Sequence, residues 1–117
     1  MSRIVIEIAK DFSKTPGGRL ISDGPFSGEL FRQRYLAPRL HEAMKHRDKV
    51  VVVLDGVRGY LSSFLEEAFG GLVRESGFRK RDIGNVLEVR ANDRFYEPYR
   101  ILALRYIDEA SEKAGAA

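Results

Sequence analysis

The chain has 117 residues, 44% hydrophobic and 32% charged, which excludes a wholly disordered chain and fits one globular domain. It has no cysteine, which removes disulfide scaffolds, thiol catalysis and cysteine-zinc sites, and no apolar run approaches the roughly 18 residues of a membrane span. Net charge is +3 and the pI is near 9.3, but basic and acidic residues are interspersed, so the charge balance is only a weak hint of nucleic acid and a nucleic-acid partner is not expected.

The N-terminus runs straight into a strand pattern without a signal-peptide core, so a cytoplasmic protein is expected. Ile4-Val5-Ile6-Glu7-Ile8 is largely β-branched and reads as a strand covered on both faces. Thr15-Pro16-Gly17-Gly18 is a turn signal, because proline presets one dihedral and glycine accepts positive φ. Arg19-Leu20-Ile21 then reads as a returning strand, so residues 3–22 are predicted to form a β-hairpin with Gly17, Gly18 and Arg19 at its tip. A phosphate-binding turn with Arg19 as the charged contact is the sharper reading of that tip. It lacks the strand-loop-helix context and Lys-Ser/Thr ending of a P-loop, and the plain tip is preferred.

Ser27 is a predicted helix N-cap with Gly28 following, Phe26 and Phe31 at staple positions, and Glu29 at the positive helix end. Leu30, Phe31, Tyr35 and Leu36 form an apolar stripe, which Pro38 should interrupt near residues 34–37 before Leu40 and Met44 resume it. Val50-Val51-Val52-Val53-Leu54 reads as the central buried strand. After a loop over Arg58 to Leu61, Ser63 and Glu66 have capping-box spacing, which makes Ser63 the cap and leaves the Ser62 hydroxyl spare. Phe64, Leu65, Ala68, Phe69, Leu72 and Val73 recur at helical spacing up to a stop at Gly77, with Phe78 covering Val73. Arg79-Lys80-Arg81 reads as a solvated basic loop and Val86-Leu87-Glu88-Val89 as a strand. Pro98 opens a last helix lined by Tyr99, Leu102, Ala103, Tyr106, Ile107 and Ala110, and Ser111 to Ala117 is expected to fray. The order β-β-α-β-α-β-α predicts an α/β domain over 1–113, a mixed sheet of about four strands with helices packed on it, and a frayed tail over 114–117.

Two helix starts, Ser27-Gly28 and Ser62-Ser63, should lie at one end of the sheet, where free amides suit a small anion or nucleotide. Asp11 and Asp55 follow strand ends and could hold Mg²⁺ or accept phosphate. The hairpin argues against that receiver-like reading, and solvated turn carboxylates are the simpler one. His41 and His46 are off the one-face spacing of a helical metal pair, and adjacent Glu66 and Glu67 point apart. With no Ser-His pairing and no metal cluster in the pattern, no enzyme, cofactor or metal site is expected. Gly70-Gly71 weakens a mid-helix position by roughly 1 kcal/mol per residue relative to alanine, so close approach to the sheet or a neighbouring helix is the expected reason.

The segment from Val51 to Val73 resembles the central part of STAS domains, the anti-sigma-factor-antagonist fold. There a buried strand leads through a short loop to an Asp-Ser-Ser-Gly-Leu type helix start, matched here by Leu61-Ser62-Ser63-Phe64-Leu65. Together with Asp11-Phe12-Ser13, Pro16-Gly17-Gly18-Arg19, Ser27-Gly28-Glu29 and the run from Ser62 to Leu72, the text is similar to a bacterial family of small STAS-like domains without assigned function. The resemblance implies a signalling module that works by regulatory protein-protein interaction. It also implies a histidine-kinase-like ATPase partner that phosphorylates the serine matching Ser62. Leu61 stands where the STAS phospho-switches have Asp and Phe64 where they have Gly. The face expected to meet the partner carries Arg58, Tyr60, Leu61 and Phe64.

Overall fold

The structure, a computed structural model, describes residues 2–115. Its centre is β2 (Lys49–Val53), four of whose five residues are valine and buried. Branched Cβ atoms fit a pleated, enclosed surface, and a strand with so little polar side chain is stable only between two others. β1 (Arg3–Glu7) pairs with it in parallel, Ile6 opposite Val52, and β3 (Leu87–Arg90) pairs in parallel on the other side, Val89 opposite Val52. The sheet is therefore three-stranded, all parallel, in the order β1-β2-β3.

The predicted hairpin and fourth strand do not form. Ile8–Phe12 makes one wide helical turn after β1, and Arg19 and Leu20 form a bend that leads into a short 3-10 turn at Ile21–Asp23. The reason lies in the backbone donors and acceptors. The Gly18 and Arg19 carbonyls accept from the Gly28 and Glu29 amides, both at 3.0 Å, while the Leu20 and Ile21 amides donate to the Asp23 and Glu29 carboxylates, both at 2.8 Å. Those four groups are therefore not available to pair with β1, whose ladder partner is β2. Ile4, Ile6, Val50, Val52, Leu87 and Val89 join the helices in one core, but Val5, on the opposite face, is 52% exposed, so β1 is covered on one face only.

Helix α1 runs over residues 28–46. Its pieces Gly28–Phe31 and Ala37–His46 are joined without a break by a wide turn at Arg32–Leu36, where the Ala37 amide donates to the Arg32 carbonyl. Pro38 sits beside that turn, where the regular ladder is already shifted, so its missing amide does not end the helix. Helix α2 runs over residues 62–74 with a second wide turn at Glu66–Gly70. It stops as predicted at Gly77, φ +77°, with the Phe78 amide donating to the Leu72 carbonyl. The basic run is not a loop: it opens helix α3 (Lys80–Val86), which passes directly into β3. Helix α4 (Glu97–Lys113) carries Pro98 in its first turn and stays helical through the buried Ser111. Of the expected tail, Ala116 and Ala117 lie outside the described residues. Among the described residues no helix is long and apolar enough to cross a membrane.

α2 is the helix on which α1 and α4 close. A Cβ on Gly28 would stand 2.5 Å from the Phe64 carbonyl oxygen, and one on Gly70 would stand 3.3 Å from the Tyr106 carbonyl oxygen of α4. A Cβ on Gly71 would stand 2.9 Å from Cζ of Arg32. Close approach to neighbouring helices therefore accounts for the glycine pair. Gly28→Ala should destabilise the fold by about 1–3 kcal/mol, because backbone on the far side cannot yield. Gly84→Ala, whose Cβ would meet nothing within 4 Å inside α3, should leave stability unchanged or raise it by up to about 1 kcal/mol. Urea unfolding of both variants checks this, and equal midpoints would contradict the close packing of α1 on α2.

Candidate functional site

The starts of α1 and α2 lie side by side but differ in what they leave open. Ser27 is buried and caps α1 as predicted, its Oγ accepting from the Leu30 amide at 3.1 Å. With the Gly28 and Glu29 amides held by the Gly18 and Arg19 carbonyls, the first turn of α1 has no donor to spare. The Gly17-Gly18-Arg19 segment is thus part of a helix cap and not a hairpin tip.

At α2 the cap position belongs to Leu61, whose carbonyl accepts from the Phe64 and Leu65 amides at 3.1 and 3.2 Å. Ser63 is therefore not the cap; Ser62 and Ser63 are the first two helical residues. The expected capping box fails because Glu66 turns outward to two arginines instead of back to the Ser63 amide. Ser62 is exposed, and neither serine's hydroxyl nor amide has a protein partner among the described residues.

The four partner-surface candidates separate. Arg58 is exposed and Leu61 is 60% exposed, but Tyr60 and Phe64 are core residues. The Tyr60 hydroxyl donates to the Leu54 carbonyl at 2.8 Å, and burial pushes its phenol well above the usual range. The Phe64 ring lies about 6 Å, centroid to centroid, from Phe12, Phe31 and Tyr60. It is small residues elsewhere, not a glycine at 64, that let the helices close. Sequence reading missed three other apolar side chains: Leu20, Ile21 and Phe26 are 43%, 47% and 40% exposed. Gly17 ties this loop to Leu61. Its amide donates to the Phe26 carbonyl at 2.9 Å, and its Cβ position is 3.7 Å from Leu61 Cδ1. An alternating strand would have turned one of Leu20 and Ile21 inward, which is why their joint exposure was not foreseen.

Beside Ser62 lies a network of five charges. Arg32 of α1 is buried and donates from Nη1 to Glu67 Oε2 at 2.6 Å and to the Glu67 carbonyl at 2.7 Å. Glu67 Oε1 also meets Arg19 Nη1 at 3.4 Å and Arg74 Nη2 at 3.3 Å. Glu66 accepts from Arg74 at 2.6 and 3.1 Å and from Arg19. Partial burial pushes the Glu66 carboxyl up, but the bonds from Arg74 and Arg19 outweigh it and hold the group below its usual range. The hydrogen bond to Glu66 raises both Arg19 and Arg74. A cavity of about 630 Å³ opens over these groups between α2 and α4, lined by Ser62, Arg19, Glu66, Arg74, Glu109 and Lys113 among others. The buried pair was legible in principle. Arg32 falls four residues after Gly28 and four before Leu36, on the buried stripe, and Glu67 falls three after Phe64 and four before Gly71.

The other candidates have structural partners. Both Asp55 oxygens accept backbone amides, from Asn92 and Asp93 at 2.8 Å each, and Asp11 accepts the Glu7 amide at 2.8 Å. These carboxylates fix the exits of β2 and β1. His41 packs against Phe78 with ring centroids 4.5 Å apart and the planes tilted, while His46 meets Glu42 at 3.0 Å, so the two histidines do not converge.

A family model described as a STAS-like domain of unknown function matches residues 27–92, from the α1 cap through the end of β3. No curated protein and no solved structure matched the chain.

The Glu66 carboxyl generates a pH dependence whose sign is fixed. A group held below its unfolded value contributes stability that is complete above the unfolded value, roughly pH 4.3, and is lost as pH falls through the folded one. The urea midpoint should therefore drop on acidification below about pH 5, and Glu66→Gln should remove part of that slope. A parallel acid profile in Glu66→Gln would contradict the arginine pairing.

Proposed function

The chain belongs to the family of STAS-like domains of unknown function, and on that footing we propose that it is a regulatory protein-protein interaction module switched by phosphorylation of Ser62. The partner we propose is a histidine-kinase-like ATPase, which places the protein in the cytoplasm, and the module itself carries out no catalysis.

The observation that carries this reading is the open start of α2. Ser62 offers an exposed hydroxyl without a protein partner among the described residues, in the first turn of a 13-residue helix whose positive end tolerates added negative charge. In the transfer, Ser62 Oγ bonds to the γ-phosphorus of ATP as the bond to the β,γ-bridging oxygen breaks. ADP leaves, and the hydroxyl proton passes to a base of the kinase or to solvent. Phe64 does not crowd that approach, because its ring is turned into the core. Leu61, where the STAS phospho-switches that the chain resembles have a carboxylate, contributes exposed apolar surface instead, and Phe26, Leu20 and Ile21 in the loop before α1 are exposed as well. A partner packed on those apolar side chains would have to desolvate a phosphate of about −1.5 to −2 charges, which opposes binding. The engagement of every early α1 amide counts against the alternative of an anion-binding module built from two helix starts.

Ser62→Glu, a one-charge mimic, should leave the urea midpoint within about 0.5 kcal/mol of wild type and weaken binding of the cognate ATPase domain at least about tenfold, roughly 1.4 kcal/mol. Calorimetric titration of ATPase domains from the same genome, with mass spectrometry of the protein from its native host, reads both. Equal affinity for wild type and variant, with no phosphoserine at position 62, would contradict the switch.

A further inference from the structure

We propose that the cavity between α2 and α4 receives the phosphate carried by Ser62, and that Arg19 is its ligand, leaving Glu66 to bind it. This rests on the Ser62 reading above and goes beyond it, because it assigns an intramolecular acceptor for the modified side chain.

Ser62 and Glu66 are four residues apart, so they share a helix face about one turn from each other. Both line the cavity, and so does Arg19, which reaches Glu66 from the loop before α1. A dianion on Ser62 repels the Glu66 carboxylate and presents the Arg19 guanidinium with a fork-shaped acceptor of higher charge. The exchange strands no charge. Glu66 keeps Arg74, which already holds it with two bonds at 2.6 and 3.1 Å. Glu67 loses a 3.4 Å contact to Arg19 and keeps Arg32 at 2.6 Å. The Arg19 side chain is 41% exposed and has room to turn, while its backbone stays pinned by the Glu29 amide at 3.0 Å. The groups facing the phosphate are then Arg19 from the loop, Glu66, Glu67 and Arg74 from α2, and Glu109 and Lys113 from α4. Opening the Arg19–Glu66 contact removes a tie between α2, which Leu61 caps, and the loop carrying Leu20 and Ile21. The modification thereby reaches both sides of the proposed docking face.

The test installs phosphoserine at position 62 of the full chain by genetic encoding, so no native kinase is needed. ³¹P NMR titration should place the second ionisation of the phosphate about one pH unit below the roughly 6 of a free phosphoserine. Arg19→Gln should return it to the free value. In the otherwise unmodified sequence, the Arg19 Nε resonance should move on phosphorylation while that of Arg74 stays, which keeps the proposal testable if Arg19→Gln unfolds. The same phosphate titration with and without Arg19, or an unmoved Arg19 resonance, would overturn the proposal and leave the Ser62 switch standing. Absence of phosphoserine in the native host bears on the switch alone.

Discussion

The helical layer depends on one buried ion pair, Arg32 with Glu67. Their side chains are 3% and 6% exposed, where two ions are stable only if each lone pair and proton that can find a partner does so. Arg32 Nη1 reaches both a carboxylate oxygen and the main-chain carbonyl of Glu67, and the other carboxylate oxygen faces Arg19 and Arg74. Arg32 Nε alone, among the described residues, is a buried side-chain polar atom without a partner, so the site keeps some desolvation cost. The guanidinium has room only because residue 71 is glycine. Both helices widen by a residue where they meet, at Arg32–Leu36 and at Glu66–Gly70, and the two ions sit in those turns.

That pair sets the rotation of α2, and the rotation sets the site. With Glu67 turned to Arg32, Phe64, Ala68 and Gly71 also face inward, and Ser62 and Glu66 face the cavity. The residue next to the pair, Glu66, is then free to gather Arg19 and Arg74, and so links the loop that caps α1 to the first half of α2. One carboxylate holds the core and its neighbour holds the rim of the site.

What could be read from sequence was what is decided locally. The β2 valine run, the Ser27 cap, the Gly77 stop and Pro98 in the first turn of α4 each depend on a residue's own conformational preference or on a partner three or four positions away. The hairpin failed because the partner of β1 is not local: Arg3 pairs with Lys49 across the whole of α1. The turn at Pro16-Gly17-Gly18 is real, but its carbonyls go to a helix start. α3 was missed because only Ile83 of its seven residues is buried, so it has no apolar stripe to read. The Ser63 cap lost to a long-range competitor, since Glu66 gains two arginines by turning outward. Of the candidate site, the spare hydroxyl of Ser62 and the exposure of Arg58 and Leu61 were legible. Tyr60 and Phe64 were misplaced because a loop-adjacent aromatic gives no local sign of which way it turns.

The claim that Arg32 and Glu67 hold α1 to α2 as a unit is tested most directly by a double-mutant cycle, with Arg32→Met, Glu67→Leu and the double variant compared by urea unfolding. Each single change leaves a charge buried without its partner and is expected to destabilise by about 3–5 kcal/mol, whereas the double variant removes both ions and should lose little more than one single variant does. A coupling of about 3 kcal/mol or more, close to the loss in one single variant, is the expected result. Single effects that add to within about 0.5 kcal/mol would show that the two residues act independently, and would contradict the pair as the element that fixes α2.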